Sequence, residues 1–234
     1  MPEKMCSGIT VTLCQDGIIE MIMDCPSNNL MTGQFMDELE IAIQQCKNIA
    51  EQNQVKGLII GAKGRHFSSG ADVAALMERY TDSAAQKDED GVLLGLKQQK
   101  SALMALNEFA FPTVAAVSGF CTGSGSEIAL HCHYRICEDN ARIGQPESTF
   151  GILPALGGIV RTAQYCGLQN AVEFVLTGSM FQADKALECG WADMVVAKKQ
   201  SLDTARRLIH YLNEHKESCQ GKTRKECVLS FEQA

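Results

Sequence analysis

Two glutamates, Glu127 and Glu147, are the residues of this chain whose type and position best suit chemistry. Each follows a turn-forming stretch, since Glu127 comes after Gly123–Ser126 and Glu147 comes after Gly144–Pro146. A carboxylate that a tight turn delivers into apolar surroundings is poorly solvated, and its pKa rises. Two such groups facing one substrate could take a proton from water and give one to carbon. The pair therefore indicates acid/base catalysis that needs no metal.

Backbone N–H groups are the second candidate feature. The turn Gly123–Ser126 leads into a predicted helix, where unpaired N–H groups and the helix dipole favour a phosphate or a developing oxyanion. A second turn, Ser68–Asp72, follows another predicted strand. Two strand ends with such turns could supply two N–H donors to one carbonyl oxygen and so stabilise a thioester enolate.

Taken alone, each of these features has a purely structural explanation. The glycines of Gly123–Ser126 would serve only the backbone angles of a strand-to-helix turn, and no Gly-Lys-Ser/Thr follows to make a P-loop. Glu127 would be a helix-start carboxylate favoured by the dipole, and Glu147 an ordinary turn residue. Asp72 is predicted to be the N-cap of a helix that begins at Val73. The two glutamates together with both glycine turns favour the catalytic interpretation.

Short strands and amphipathic helices must position these residues. Ile9–Leu13 and Ile18–Met23 flank a Gln-Asp-Gly sequence, which predicts a hairpin. Apolar residues at helical spacing predict a helix over Gln34–Gln52. Val55–Gly61 and Pro112–Ser118 are short apolar runs suited to buried parallel strands. Strand and helix alternate, which predicts an α/β fold.

The rest of the chain adds helices and a charged stretch. Helices are predicted over Leu93–Phe109 and Glu127–Cys132, and the tail from Ala183 onward is predicted to be helical with polar faces. The irregular, charged stretch Glu78–Lys100 is predicted to be a surface segment. No repeat, low-complexity tract or linker divides the chain into independent domains.

Charge and hydropathy limit the classes of partner. The 234 residues are 45% hydrophobic and 21% charged, with a formal net charge of -7. This balance argues against a nucleic-acid surface or an anionic-membrane surface. No apolar run approaches the roughly 20 residues of a membrane span, and the N-terminus does not read as a secretory signal. We therefore expect a cytoplasmic protein with no nucleic-acid or membrane partner.

The cysteines predict neither disulfides nor a metal site. There are 11, scattered along the chain, with no Cys-x-x-Cys pair. Several lie among apolar residues, where a free thiol behaves as a small core side chain. The run His131-Cys132-His133 would lie on a helix, where adjacent side chains point about 100° apart and cannot converge on one ion.

Five segments form an ordered set of motifs. HFSSGAD at 66–72 resembles F-S/A-A/S-G-A-D, and GSGSEIAL at 123–130 resembles G-G-G-C-E-L-A. IGQPESTFGILPALGGIVR at 143–161 is similar to F-G-x-P-E-x-x-x-G-I-x-P-G-x-G-G-x-x-R. Residues 26–30 and 176–196 resemble an early P-x-N-A-L loop and a late L-T-G pattern. By these motifs the chain resembles the crotonase (enoyl-CoA hydratase/isomerase) superfamily over roughly Ile9–Val196.

The resemblance implies an α/β fold of a particular kind, the crotonase-type ββα spiral with a shortened helical C-terminal part. Residues 1–196 would form the spiral core with the active site, and residues 197–234 a reduced C-terminal helical segment. It also implies a homotrimer or a hexamer. Family members usually continue for a few more C-terminal helices, which close the acyl pocket.

Roles for individual residues follow from the resemblance as well. The backbone N–H groups of Ala71 and Ser124 would form the oxyanion hole, although Ser124 stands where the family usually has glycine. Glu127 would act as base toward water, and Glu147 as acid toward the α-carbon. Coenzyme A would be part of the substrate rather than a separate cofactor. The residues expected to border it are Asn28, Ser68, Gly70 and Ala71.

The implied reaction is the reversible syn hydration of a 2-enoyl-CoA to a 3-hydroxyacyl-CoA, a lyase reaction of fatty acid metabolism. Three alternatives stay open. One is an enoyl-CoA isomerase, which typically relies on the Glu147-type residue alone. Another is a dehydratase or decarboxylase that acts on a carrier-bound acyl thioester. The last is a catalytically degenerate member that only binds acyl-CoA.

Overall fold

The computed structural model describes residues 8–78 and 89–234. Within these residues, nine strands form two sheets. The strands are β1 (Ile9–Leu13), β2 (Ile18–Met23), β3 (Gly57–Ala62), β4 (Thr113–Val117), β5 (Phe120–Thr122), β6 (Tyr134–Glu138), β7 (Arg142–Gly144), β8 (Met180–Gln182) and β9 (Met194–Val196). The principal helices are α1 (Gly33–Gln52), α2 (Glu89–Glu108), α3 (Ser124–His131), α4 (Gly158–Leu176), α5 (Ala183–Cys189), α6 (Ser201–Glu214), α7 (Lys216–Cys219) and α8 (Arg224–Glu232). A 3₁₀ helix spans Pro146–Phe150.

The larger sheet has the strand order β1-β2-β3-β4-β6-β9. β1 runs antiparallel to β2, and every other neighbouring pair is parallel. Alternate residues of a strand point to opposite faces, so Leu58 and Ile60 of β3 pack with α1, whereas Ile59 packs with α6. Both faces are covered, which is why β3 and β4 are continuous apolar runs.

The smaller sheet contains β5, β7 and β8. β5 pairs with β7 in parallel, and β7 pairs with β8 in antiparallel fashion. One isolated bridge, Ser68 with Cys121 of β5, attaches the Ser68–Asp72 turn to this sheet, and a second, Met31 with Ala71, joins the turn to the segment before α1. The bridges matter because they bring that turn beside the turn that follows β5.

Most of the predicted elements are confirmed, but the tail from Ala183 onward is not helical throughout, because strand β9 (Met194–Val196) interrupts it. β1 and β2 form the expected hairpin with the expected bounds, and α1 begins one residue before the prediction. Asp72 caps the helical residues 73–78, since its Oδ1 accepts a hydrogen bond of 3.1 Å from the N–H of Ala75. Residues 79–88 of the predicted charged surface segment lie outside the described residues.

Two helix starts differ from the predictions. α2 is already helical at Glu89, the first described residue after position 78, four residues before the predicted start at Leu93. α3 begins at Ser124 rather than Glu127. Its Gly-Ser-Gly-Ser start resembles a loop in sequence, but Gly123 alone makes the turn and the following residues are already helical.

The expected C-terminal helical segment consists of α6, α7 and α8. Ala205, Leu208 and Ile209 of α6 are buried against Ile59 and neighbouring residues of the larger sheet. Residues 197–234 therefore pack directly on the sheet and cover the face opposite α1. Among the described helices, none is both long and apolar enough to cross a membrane.

The two histidines of the His-Cys-His run face different partners. The Nδ1 of His131 is 2.8 Å from the carbonyl oxygen of Glu127. Burial lowers the pKa of His131 to about 4, so the ring is neutral and its Nδ1–H donates to that carbonyl. His133 instead contacts Thr113 and the carbonyl of Asn107. Cys14, Cys46, Cys121, Cys132, Cys137, Cys166, Cys189, Cys219 and Cys227 are free thiols.

Candidate active site

One cavity of about 420 Å³ brings together the main sequence-predicted site residues. Glu127 and Glu147 line it, and so do Gly70, Ala71 and Ser124. We call it the acidic cavity. The residues converge because three segments lie together at the smaller sheet: the Ser68–Asp72 turn, the start of α3 and the 3₁₀ helix that carries Glu147.

Gly70 allows the two turns to approach each other closely. Its φ of +85° is in the left-handed region that favours glycine. A Cβ at this position would lie 2.8 Å from the carbonyl oxygen of Thr122. The carbonyl of Gly70 accepts a hydrogen bond of 2.8 Å from the N–H of Met31, which fixes the peptide plane before Ala71.

Gly123 likewise allows a close approach, here of the start of α3 to Glu147 and Gly70. Its φ is +53°, and a Cβ here would lie 3.2 Å from Oε1 of Glu147 and 3.8 Å from the Cα of Gly70. Its N–H donates to the carbonyl of Gly144 at 2.8 Å. This bond joins the start of α3 to the end of β7, so the segments carrying Glu127 and Glu147 are held together.

Two backbone N–H groups at the acidic cavity are unpaired. Neither the N–H of Ala71 nor that of Ser124 donates a hydrogen bond to another group in the described part of the chain. Ser124 is the first residue of α3, where an N–H has no acceptor within the helix and carries the positive end of the dipole. Both groups are thus available to an oxygen of a ligand.

Glu127 is held in a buried position, with a relative exposure of 1%. Its Oε1 accepts hydrogen bonds of 2.8 Å from the N–H groups of Leu156 and Gly158. Burial raises the pKa of Glu127 to about 8, and the charge of Glu147 adds to the rise, while the two N–H groups oppose it. Desolvation prevails because the site keeps water away from the carboxylate.

Glu147 lies in the first turn of the 3₁₀ helix, directly after Pro146. Burial raises its pKa to about 7. Its Oε2 is buried and has no hydrogen-bond partner among the described residues. A buried polar atom without a partner is costly, and here it faces a cavity in which a ligand could satisfy it.

The rest of the acidic cavity is largely apolar. A wall of this kind favours a hydrocarbon chain and excludes water from the two carboxyl groups. The apolar side chains that line it are Met31, Met36, Leu76, Leu96, Phe150, Ile152, Leu153 and Leu156.

Two of the residues expected at coenzyme A do not line this cavity. Ser68 is completely buried, its hydroxyl donating to the carbonyl of Asn29 at 2.8 Å and accepting from the N–H of Gly70 at 3.1 Å. Its observed contacts therefore shape the turn. Asn28 is exposed, and its carbonyl accepts a hydrogen bond of 3.0 Å from Ser69. Contacts of Ser68 and Asn28 with coenzyme A remain predictions.

The N–H donors that hold Glu127 were missed by sequence reasoning. Leu156 and Gly158 are 29 and 31 residues away along the chain, and backbone groups leave no signature in side-chain type. The available signal was the Gly157-Gly158 pair. Gly157 has a φ of +113°, and a Cβ there would lie 3.0 Å from the ring of His131, so both glycines are required for α4 to start against α3.

These features define a class of protein, an α/β protein with two buried carboxyl groups of raised pKa and two unpaired N–H groups in one cavity. A family model described as enoyl-CoA hydratase/isomerase matches residues 14–231. The chain therefore belongs to the enoyl-CoA hydratase/isomerase family.

Individual relatives agree with this assignment. The fatty acid oxidation complex subunit alpha of Psychrobacter sp. (strain PRwf-1) is 32% identical over 206 residues, which are 86% of this chain and 27% of that protein. The chain thus spans about a quarter of the length of the curated relatives it matches.

Solved structures show the same fold. A crystal structure of an enoyl-CoA hydratase from Geobacillus kaustophilus HTA426 has a TM-score of 0.75 at 26% identity, covering 88% of this chain and 74% of that one. A putative enoyl-CoA hydratase from Thermobifida fusca YX, in complex with acetoacetyl-CoA, has a TM-score of 0.75 at 24% identity. It covers 97% of this chain and 85% of that one. The expected crotonase-type fold is confirmed.

Proposed function

We propose that this protein catalyses the reversible syn hydration of a 2-enoyl-CoA to a 3-hydroxyacyl-CoA, and is therefore a lyase. One observation carries the proposal, the presence in one cavity of two carboxyl groups with raised pKa and two unpaired N–H groups. Each part has a task in the reaction. The N–H groups receive the thioester oxygen, and the carboxyl groups handle the water and its protons.

Hydration requires one proton on the pair of glutamates. Water adds its oxygen to the β-carbon and loses a proton to a carboxylate, while the α-carbon takes a proton from a carboxylic acid. One glutamate must be ionised and the other protonated at the same time. With pKa values of about 8 for Glu127 and about 7 for Glu147, the pair holds about one proton near neutral pH.

The division of roles follows from how each carboxyl group is held. The Oε1 of Glu127 is engaged by two backbone N–H groups, so its Oε2 is left for the water. Glu147 then protonates the α-carbon. The higher pKa of Glu127 places the shared proton on Glu127 in the free protein. The proposal therefore requires the proton to be on Glu147 once water and thioester are bound.

The N–H groups of Ala71 and Ser124 stabilise the enolate oxygen. Their positions are fixed by the two glycine turns before substrate arrives, so no reorganisation is needed when charge develops. The loss of one such donor typically costs about 10²–10³ in rate. This contribution depends on the backbone N–H of Ser124, and not on its hydroxyl group.

Coenzyme A as the carrier of the acyl group is part of the proposal. It draws support from the complex of the Thermobifida fusca protein with acetoacetyl-CoA. The apolar wall of the acidic cavity suits the acyl chain. A carrier-protein thioester is the alternative, and activity on acyl-carrier substrates but not on acyl-CoA would favour it.

A homotrimer or hexamer belongs to the same proposal. α4 exposes Leu168, Val172 and Leu176, spaced four residues apart, at relative exposures of 74%, 47% and 62%. Residues at this spacing form one stripe on a helix, and a stripe of apolar side chains is typical of an interface. Light scattering on the purified protein would test the oligomeric state.

The decisive experiment replaces each glutamate with glutamine. Both Glu127→Gln and Glu147→Gln keep the side-chain shape but remove the proton-transfer function, so each should lower hydration of crotonyl-CoA by about 10²–10⁴. The measurement is the loss of the conjugated enoyl absorbance, and mass analysis of the product separates addition of water from isomerisation.

A matched control is Glu188→Gln, which makes the same chemical change at a side chain that is 76% exposed. It should leave the rate unchanged. Wild-type rates for both Glu127→Gln and Glu147→Gln would overturn the proposed function.

A further inference from the structure

A second cavity, of about 550 Å³, lies at the carboxyl edge of the larger sheet. Its lining residues include the ends of β3, β4 and β6 and the loop that follows β9. It shares no lining residue with the acidic cavity. The carboxyl edge of a parallel sheet is where open α/β proteins bind ligands, and the volume is within the range of small-molecule sites.

Four cationic side chains line this second cavity, which we call the basic cavity: Arg65, Arg142, Lys198 and Lys199. None of the four forms an ion pair with a carboxylate in the described part of the chain. The guanidinium of Arg142 donates only to the carbonyl of the adjacent Ala141, at 2.9 Å. Unpaired cations gathered in one concave site, on a protein of net charge -7, favour an anionic ligand.

One carboxylate also lines the basic cavity. Glu138 has a relative exposure of 5%, and its Oε1 accepts a hydrogen bond of 3.0 Å from the hydroxyl of Ser201. It therefore holds the side chain of the first residue of α6, and it offsets one of the four positive charges. The remaining excess of positive side chains requires a ligand with more than one negative charge.

Further donors and an acceptor complete the site. The Nδ1 of His66 accepts a hydrogen bond of 3.0 Å from the N–H of Phe120. Burial, together with the charge of Arg65, lowers the pKa of His66, so the ring is neutral and its Nε2–H is a donor. The Oδ1 of Asn140 is buried with no partner among the described residues. It could accept a hydrogen bond from a ligand hydroxyl.

We propose that the basic cavity binds an organic phosphate that carries at least two negative charges and a hydroxyl group. Arg142 offers the planar pair of donors that suits phosphate oxygens. Lys198 and Lys199 add positive charge, and the N-terminus of α6, a helix of 14 residues, adds its dipole. The Oδ1 of Asn140 accepts a hydrogen bond from the hydroxyl group of the ligand. This site is separate from the acidic cavity and does not depend on the reaction proposed there.

Titration calorimetry at low salt with ADP and with pyrophosphate tests the proposal. Wild-type protein should bind ADP at about one site per chain. The double substitution Arg142→Gln/Lys199→Gln should weaken that affinity by roughly a hundredfold or more, since it removes two charge–phosphate contacts. A control, Arg207→Gln/Lys216→Gln, removes the same two charge types outside the cavity and should bind as wild type does.

Three results would overturn the proposal. One is the absence of binding of both ADP and pyrophosphate to the wild-type protein, and another is equal affinity in the cavity variant and the control. The third is a higher KM for crotonyl-CoA in the cavity variant, because the cavity would then hold the phosphates of the acyl-CoA substrate. The calorimetry remains decisive even if the protein hydrates no enoyl-CoA.

Discussion

The acidic cavity and the basic cavity use charge in opposite ways. In the acidic cavity, Glu127 and Glu147 are buried, and their raised pKa values bring them close to neutral pH. In the basic cavity, Arg65, Lys198 and Lys199 are exposed, so they keep their solvation. Burial thus converts carboxylates into proton carriers, whereas exposure leaves the cations as a permanent field for an anion.

Their locations explain this difference. The acidic cavity is formed where two turns of the smaller sheet meet, and the turns touch closely enough to require glycine at Gly70 and Gly123. The basic cavity is formed where the strands of the larger sheet end, and longer side chains from separate loops surround an open space. Close backbone packing buries the two carboxyl groups and so suits proton transfer. The open edge of the larger sheet leaves room for an anionic ligand.

Apart from the two glutamate substitutions, Gly123→Ala should have the largest effect on the rate, and it should act on one cavity only. The new Cβ would meet Oε1 of Glu147 at 3.2 Å in a left-handed conformation, so the glutamate would be displaced. We expect a loss of hydratase rate of about 10²–10³, as for loss of a preorganised catalytic group. ADP binding at the basic cavity should be unchanged.

The control for this change is Gly221→Ala. Gly221 also has a positive φ, of +79°, and nothing within 4 Å of a new Cβ, so it places an alanine at a positive φ without the clash. If both alanine variants lost activity equally, strain rather than the contact with Glu147 would be the cause.

Glu127→Gln should stabilise the fold, with an effect that grows with pH. The pKa of Glu127 is about 8 in the folded protein, against an ordinary value of 4.5 for a free glutamate side chain. The folded state therefore binds the proton more tightly, and wild-type stability decreases as pH rises from 4.5 to about 8. Glutamine has no proton to lose, so near pH 8 the variant should be more stable by on the order of 2 kcal/mol.

Thermal or urea unfolding at the two ends of this pH window measures the difference. Glu188→Gln is the exposed control and should show no such trend. If the difference in unfolding free energy between Glu127→Gln and wild type were the same at pH 4.5 and at about pH 8, the raised pKa would be contradicted.

The hydratase rate should have a bell-shaped dependence on pH. Hydration requires one proton on the pair, so kcat/KM should decrease below a pKa of about 7 and above a pKa of about 8. Each limb should approach about tenfold per pH unit. A flat rate profile would contradict the shared-proton model.

Ser124→Gly should have the smallest effect. The proposal assigns catalysis to the backbone N–H at this position, which glycine retains, so the rate should change by no more than about threefold. Steady-state kinetics on crotonyl-CoA measure it. A loss of about hundredfold would assign the role to the hydroxyl group instead.

Local pattern predicted the first part of the chain well, but it missed the short strands β5 to β9 and helix α4. The hairpin β1–β2, helix α1 and the N-cap Asp72 depend on interactions within a few residues, so the sequence contains the whole signal. The basic cavity was not predicted. Arg65, Arg142 and Lys199 are far apart in the chain, and each looks like an ordinary surface cation until the strands that precede them are placed side by side.

By itself, the sequence determined the family, the glutamate pair and the glycine turns, because motif residues and their spacing are local properties. Only the tertiary structure decided which groups share a cavity. It placed the N–H groups of Leu156 and Gly158 on Glu127 and assigned Ser68 to the shape of its turn. It also gathered four cations at the sheet edge. Such contacts join distant segments, and desolvation, which raises the pKa of both glutamates, depends on everything packed around them.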